Sequence, residues 1–246
     1  MKLSSLTNNA LSVVAISTIA AFGICSQAKA IVFSGNSSGL WGKPDPGINY
    51  DARYEGVGTS SFTWGLALPD DSNFGTEANS LTFQGTKFNS NLNSLFKIGD
   101  LTYFNGTVPL YTSVEKVPLK LQVAFESPTI IKESFNFDFN LINVLNDPNK
   151  PIDSIDNADY VYIRPSTASR SFKYNGASYT LDLTGFSQNG GLTSVPEFRV
   201  VEGATTTAEI YGRITYVPPA EKVPEPGIVI GLSSLGVYML ARKNRN

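Results

Sequence analysis

The sequence predicts an all-β protein, an antiparallel β-sandwich of jelly-roll-like character, and three observations carry that expectation. Apolar side chains recur at every second position through the middle of the chain, the spacing of a sheet with one buried and one wet face. Two Asn-Gly pairs, Asn105-Gly106 and Asn175-Gly176, stand between strand-like flanks, the strongest short-range signal for a hairpin. No stretch outside the two ends has the 3.6-residue periodicity of an amphipathic helix.

In chain order, the runs 80–88 and 96–104 read as strands, the second closing on the Asn105-Gly106 turn. Leu119, Leu121, Val123 and Phe125 then alternate with Lys120, Gln122, Ala124 and Glu126. Phe135, Phe137, Phe139 and Leu141 do the same with Asn136, Asp138 and Asn140. Further strands are expected over 160–164, around Asn175-Gly176, over 179–183 and over 198–202. Ala208, Ile210, Ile214 and Tyr216 share one face of the last, which makes about ten in all. Two stacked sheets are the natural way to bury so many one-faced strands; periodicity leaves a closed barrel open as the alternative. No repeat or linker divides residues 31–222, so one domain is expected there.

Composition narrows the chemistry. The 246 residues are 41% hydrophobic and 16% charged, which suits a folded chain. A formal charge of −2 lacks the Lys and Arg surplus that phosphate neutralisation needs, so no nucleic-acid partner is expected. With no histidine and a single cysteine, Cys25, the chain has no Ser-His-Asp triad, no Cys-His pair and no usual zinc set. Catalysis would fall to carboxylates, Tyr, Lys or Ser.

The two ends read as addresses. Lys2 precedes an apolar run from Ala10 to Ile24, and Ala28-Lys29-Ala30 supplies the small-x-small pattern that a signal peptidase cleaves. Residues 1–30 are therefore expected to be a signal helix, with Ile31 as the mature start. At the other end Val223, Pro224, Glu225 and Pro226 precede an apolar stretch from Gly227 to Ala241 and a basic cluster of Arg242, Lys243 and Arg245. Fifteen helical residues reach about 22 Å, short of the ~30 Å hydrocarbon core. That order of Pro-Glu-Pro, short apolar helix and basic cluster resembles the PEP-CTERM sorting signal. The resemblance implies that residues 223–246 hold the chain in the membrane until an exosortase-like protease processes it. It also implies an association with exopolysaccharide or biofilm. Without both ends, 14 basic residues stand against 20 acidic ones, a formal charge of −6.

The middle carries its own likeness. Phe33-Ser34-Gly35, Gly39-Leu40-Trp41-Gly42, Gly56-Val57-Gly58-Thr59 and Phe62-Thr63-Trp64-Gly65 come in order, followed by Leu101 to Thr107, the Phe-rich strand, Ala158-Asp159-Tyr160-Val161 and Tyr179-Thr180-Leu181. This series is similar to the choice-of-anchor K domain of exported bacterial proteins. The likeness implies location and class and carries no activity or site residues.

Four groups of residues are candidate sites. Trp41, Tyr50, Tyr54 and Trp64 lie among Gly, Pro, Ser and Asn, where aromatic faces can stack on sugar rings or, alternatively, plug the core. Asp153, Asp156 and Asp159 lie in an Asx-rich stretch, with Asn146, Asp147, Asn149 and Asn157; their oxygens suit calcium, or simply a solvated connection. Asp70, Asp71 and Asn73 form a smaller loop of the same kind. Asn136, Asp138 and Asn140 share one strand face, a glycan-reading row if that face is concave and a solvent face otherwise. No paired-carboxylate strand motif of a β-sandwich glucanase is present, so no catalytic residue and no cofactor beyond calcium are expected. The expectation is a non-enzymatic surface or matrix protein, with a carboxylate-dependent glycan enzyme and a purely structural component as alternatives.

Overall fold

Alternation of buried and exposed side chains sets the strands, and the computed structural model describes residues 31–68, 77–164 and 168–218. The signal segment with Cys25, the loop with Asp70, Asp71 and Asn73, and the sorting segment 223–246 lie outside the described residues. Within them the chain forms β1 (Val32–Trp41), β2 (Tyr54–Glu55), β3 (Ser61–Trp64), β4 (Asn79–Gly85), β5 (Lys87–Asn91) and β6 (Leu95–Phe104). There follow β7 (Lys116–Ser127), β8 (Ile131–Ile142), β9 (Asp159–Ile163), β10 (Ser169–Tyr174), β11 (Ala177–Ser187), β12 (Glu197–Val200) and β13 (Thr205–Val217). One 3-10 turn at Ile155–Asn157 is the only helical element among the described residues. No helix there is long and apolar enough to cross a membrane.

The strands make two antiparallel sheets, ordered β12-β9-β8-β7-β1-β5 and β10-β11-β13-β6-β4-β3-β2. Each ends on two separate edge strands, so the described residues form a sandwich-like pair of sheets rather than a closed barrel. Aromatic rings knit the facing sides. Phe33 and Phe125 meet Phe172 at 6.1 and 5.3 Å, Trp41 meets Phe62 at 6.3 Å, and Phe139 meets Phe186 at 6.1 Å. The alternating faces of β7 and β8 fall as expected: Leu119, Leu121, Val123 and Phe125 are buried, and so are Phe135, Phe137, Phe139 and Leu141.

β1 departs from expectation. Its stretch reads as Gly- and Ser-rich loop, yet it pairs with β7 from Ser34 to Trp41 and with β5 from Val32 to Asn36. Its buried face is Phe33, Gly35, Ser37, Gly39 and Trp41, small in the middle because the facing layer presses close. A Cβ on Gly39 would sit 2.6 Å from the Phe83 ring. The strand crosses the other sheet obliquely: Phe33 packs on Tyr179 of β11, while Trp41 packs on Phe62 of β3, at the other side of that sheet.

Two further expectations are corrected. The run 80–88 is split at Thr86, where the chain passes from one sheet to the other, and Thr86 is fastened there to Ser37. The two Asn-Gly pairs part ways. Asn175 and Gly176, with φ of 48° and 76°, make the two-residue turn between β10 and β11. Asn105 instead ends β6 inside the core, and Gly106 lies so close to Glu77 that a Cβ would meet its carbonyl oxygen at 2.0 Å.

The described domain starts and finishes at one end. The Phe33 ring lies 5.4 Å from Tyr179, which lies 5.8 Å from Tyr216 near the close of β13. β1, β6 and β8 run away from that end, so the loops 42–53, 105–115 and 143–158 gather at the other.

Candidate functional site

At this far end loop 42–53 is laid along loop 105–115. The Asp51 and Arg53 amides donate to the carbonyls of Tyr111 and Thr112 at 3.1 and 2.9 Å. The Ile48 amide donates to Glu115 Oε1 at 3.1 Å, and Lys116 Nζ lies 3.7 Å from the Asp45 carboxylate. These ties bring Tyr50 onto Tyr111, stacked at 4.8 Å with 27° between the rings. Tyr50 is 83% exposed, and Tyr111 is held at φ 66°. That left-handed conformation costs a residue with a Cβ about 1–2 kcal/mol, and such strain persists only where the surroundings impose it.

Beside the tyrosines lies an open groove of about 670 Å³, bordered by Ile48, Leu110, Tyr111, Asn140 and Leu145. Ile48, Leu110 and Leu145 are exposed there, and Asp45, Asn49, Glu115, Lys116 and Arg164 share the lining, so the surface mixes apolar faces with polar and charged groups. Aromatic and aliphatic faces beside fixed hydrogen-bonding groups are the chemistry that holds the apolar face and hydroxyl edge of a sugar.

A buried polar cluster lies beneath the loops. Asp159, 1% exposed, accepts the Val144 amide on Oδ1 at 2.6 Å. Buried Glu202 accepts Thr107 Oγ1 at 2.8 Å and Asn146 Nδ2 at 3.1 Å. Asn105 donates from Nδ2 to the Val200 carbonyl at 2.8 Å. Burial pushes the Asp159 carboxyl up to about 8, against the Val144 amide, which lowers it, and with Glu202, whose charge raises it. Burial raises Glu202 too, offset by Thr107 and Asn146. Tyr103 is raised well above its ordinary value, first by burial and then by Asp159 and Glu202.

The candidates from the sequence scatter. Trp41 and Trp64, 1% and 2% exposed, are core plugs with no face for a ligand; the Trp41 indole donates to the Ser60 carbonyl at 3.0 Å. Tyr54 is half-buried on Phe62, and only Tyr50 is open. The three aspartates do not converge: Asp153 is exposed, Asp156 pairs with Lys150 at 2.9 Å, and Asp159 is buried. Among the described residues no three His, Cys, Asp or Glu side chains are grouped to hold a metal ion. Asn136, Asp138 and Asn140 lie on the outer face of β8, where Asn140 is bonded to the Tyr162 carbonyl at 3.1 Å. The shallow depression on that face lies beside them, over Asn36, Ser38, Gln122 and Ser134. Tyr111 was not legible as a partner of Tyr50, because Leu110-Tyr111 after Pro109 reads equally as a loop anchor.

Fold and site together define an all-β protein of two facing antiparallel sheets, with an aromatic-bordered groove at the end remote from residues 33 and 216. No protein-family model matches the chain, and a search of curated proteins finds no match either.

Proposed function

We propose that this is an exported, non-enzymatic surface or matrix protein whose loop-end groove holds exopolysaccharide. In this reading the two curled sheets are a jelly-roll-like scaffold, a signal peptidase removes residues 1–30, and an exosortase-like protease acts at Val223 to Pro226. The observation that carries the binding reading is the stacked, solvent-facing Tyr50–Tyr111 pair beside a groove of mixed apolar and polar lining. Position supports it. A chain held at the membrane by its C-terminal segment would turn the end of the domain that carries Phe33 and Tyr216 inward and the groove outward, toward the polymer around the cell. The net charge of −6 for residues 31–222 favours recognition through stacking and hydroxyl bonding over general attraction to acidic chains.

Electrophoresis through gels containing the producing bacterium's exopolysaccharide tests this. The wild-type protein is expected to be retarded. Tyr50→Ala and Tyr111→Ala should weaken that retardation about tenfold, some 1.4 kcal/mol, with unchanged far-ultraviolet circular dichroism. Wild-type mobility that ignores the polymer overturns the reading.

A further inference from the structure

The buried carboxyls and the groove share their loops. Val144, tied to Asp159, and Asn146, tied to Glu202, flank Leu145, which forms one border of the groove. Thr107, the other partner of Glu202, leads into Leu110 and Tyr111, which form the facing border. Asn157, also buried, accepts the Asp147 amide on Oδ1 at 3.0 Å and adds a third tie to the same segment.

We propose that Asp159 and Glu202 are a proton-operated latch: protonated, they pin loops 143–158 and 105–115 against the sandwich, and ionised, they release them and loosen the groove. The titratable groups that face Asp159 are Glu202, from the β12–β13 connection, and Tyr103, from β6. Neither carboxyl has an ion pair among the described residues. Negative charge in that space is opposed by burial and, once both carboxyls ionise, by their repulsion. Water offers the charge its solvation, and the shortest way to water is to let the loops lift. With about 8 in the closed state and the ordinary 3.8 once in water, Asp159 makes the loops easier to lift as the pH rises toward 8, and above that the effect levels off. Regulation of ligand capture rests on the groove reading above; the latch itself can be measured with no ligand present.

Hydrogen–deuterium exchange on the full chain, corrected for the intrinsic pH dependence of exchange, reads the latch directly. Between pH 5 and 8.5 the amides of Val144 and Asp147 are expected to lose about tenfold or more in protection, while those of β7 and β8 keep theirs. Asp159→Asn keeps an acceptor for Val144 and cannot ionise, so its loop should stay protected across the range. Glu202→Gln, read in the same way, should reduce the change. Equal loop protection at pH 5 and pH 8.5 in the wild-type protein overturns the latch whatever the variants do. A latch that opens in a protein indifferent to polysaccharide would leave the latch standing and remove only the groove reading.

Discussion

Asp159 shows how one side chain ties stability to pH. Its folded-state value of about 8 lies above the ordinary 3.8, so between the two the folded chain keeps a proton that the unfolded chain gives up. The contribution is fully present below about pH 4, declines as the pH rises and is gone above about 8. For a single proton the slope reaches about 1.4 kcal/mol per pH unit. Denaturant titrations from pH 5 to 8.5 should show the wild-type protein losing stability and Asp159→Asn giving a flatter profile. Parallel profiles would place the cause elsewhere. Residues of this kind are hard to read in a sequence. Asp159 stands in an Asx-rich stretch that looks solvated, and its burial depends on Val200 pairing with it from another part of the chain. Asn105 is a similar case: its dipeptide signals a turn, but a place between Val200 and Ala204 prevails over local preference.

At the scale of the element, legibility follows side-chain size. β7 and β8 could be read because each buries a long file of Leu, Val and Phe at period two. β1 could not, because three of its five inward positions are Gly35, Ser37 and Gly39, which carry almost no hydrophobic signal. Those positions are small for a packing reason, and a pair of substitutions separates that from chain flexibility. Gly39→Leu would drive a side chain into Phe83 and Leu119 and is expected to cost 1–3 kcal/mol or more. Gly176→Ala meets nothing within 4 Å and bears only the strain of φ 76°, about 1 kcal/mol. Urea unfolding of both variants checks the order, and a milder effect at Gly39 would contradict the close approach of β1 to the facing sheet.

At the largest scale, the feature on which the proposed function rests is the polarity of the described domain. Phe33, Tyr179 and Tyr216 gather both ends of the described domain at one pole, and Tyr50, Tyr111 and Leu145 stand at the other. The class of fold was legible because many strands voted for it independently. The groove was only half legible: Tyr50 stood out as an aromatic in a polar loop, whereas its stacking on Tyr111 is a tertiary event between loops far apart in sequence. Trp41 and Trp64 drew attention for the same compositional reason as Tyr50, and packing between the sheets took them out of reach of any ligand.

The most direct test of the central claim is a residue-resolved nuclear magnetic resonance titration of residues 31–222 with bacterial exopolysaccharide fragments. The account predicts saturable shifts confined to 45–50, 110–116 and 140–145, with the Tyr50 and Tyr111 rings among the strongest. Shifts centred on the outer face of β7 and β8, or none at all, would contradict it.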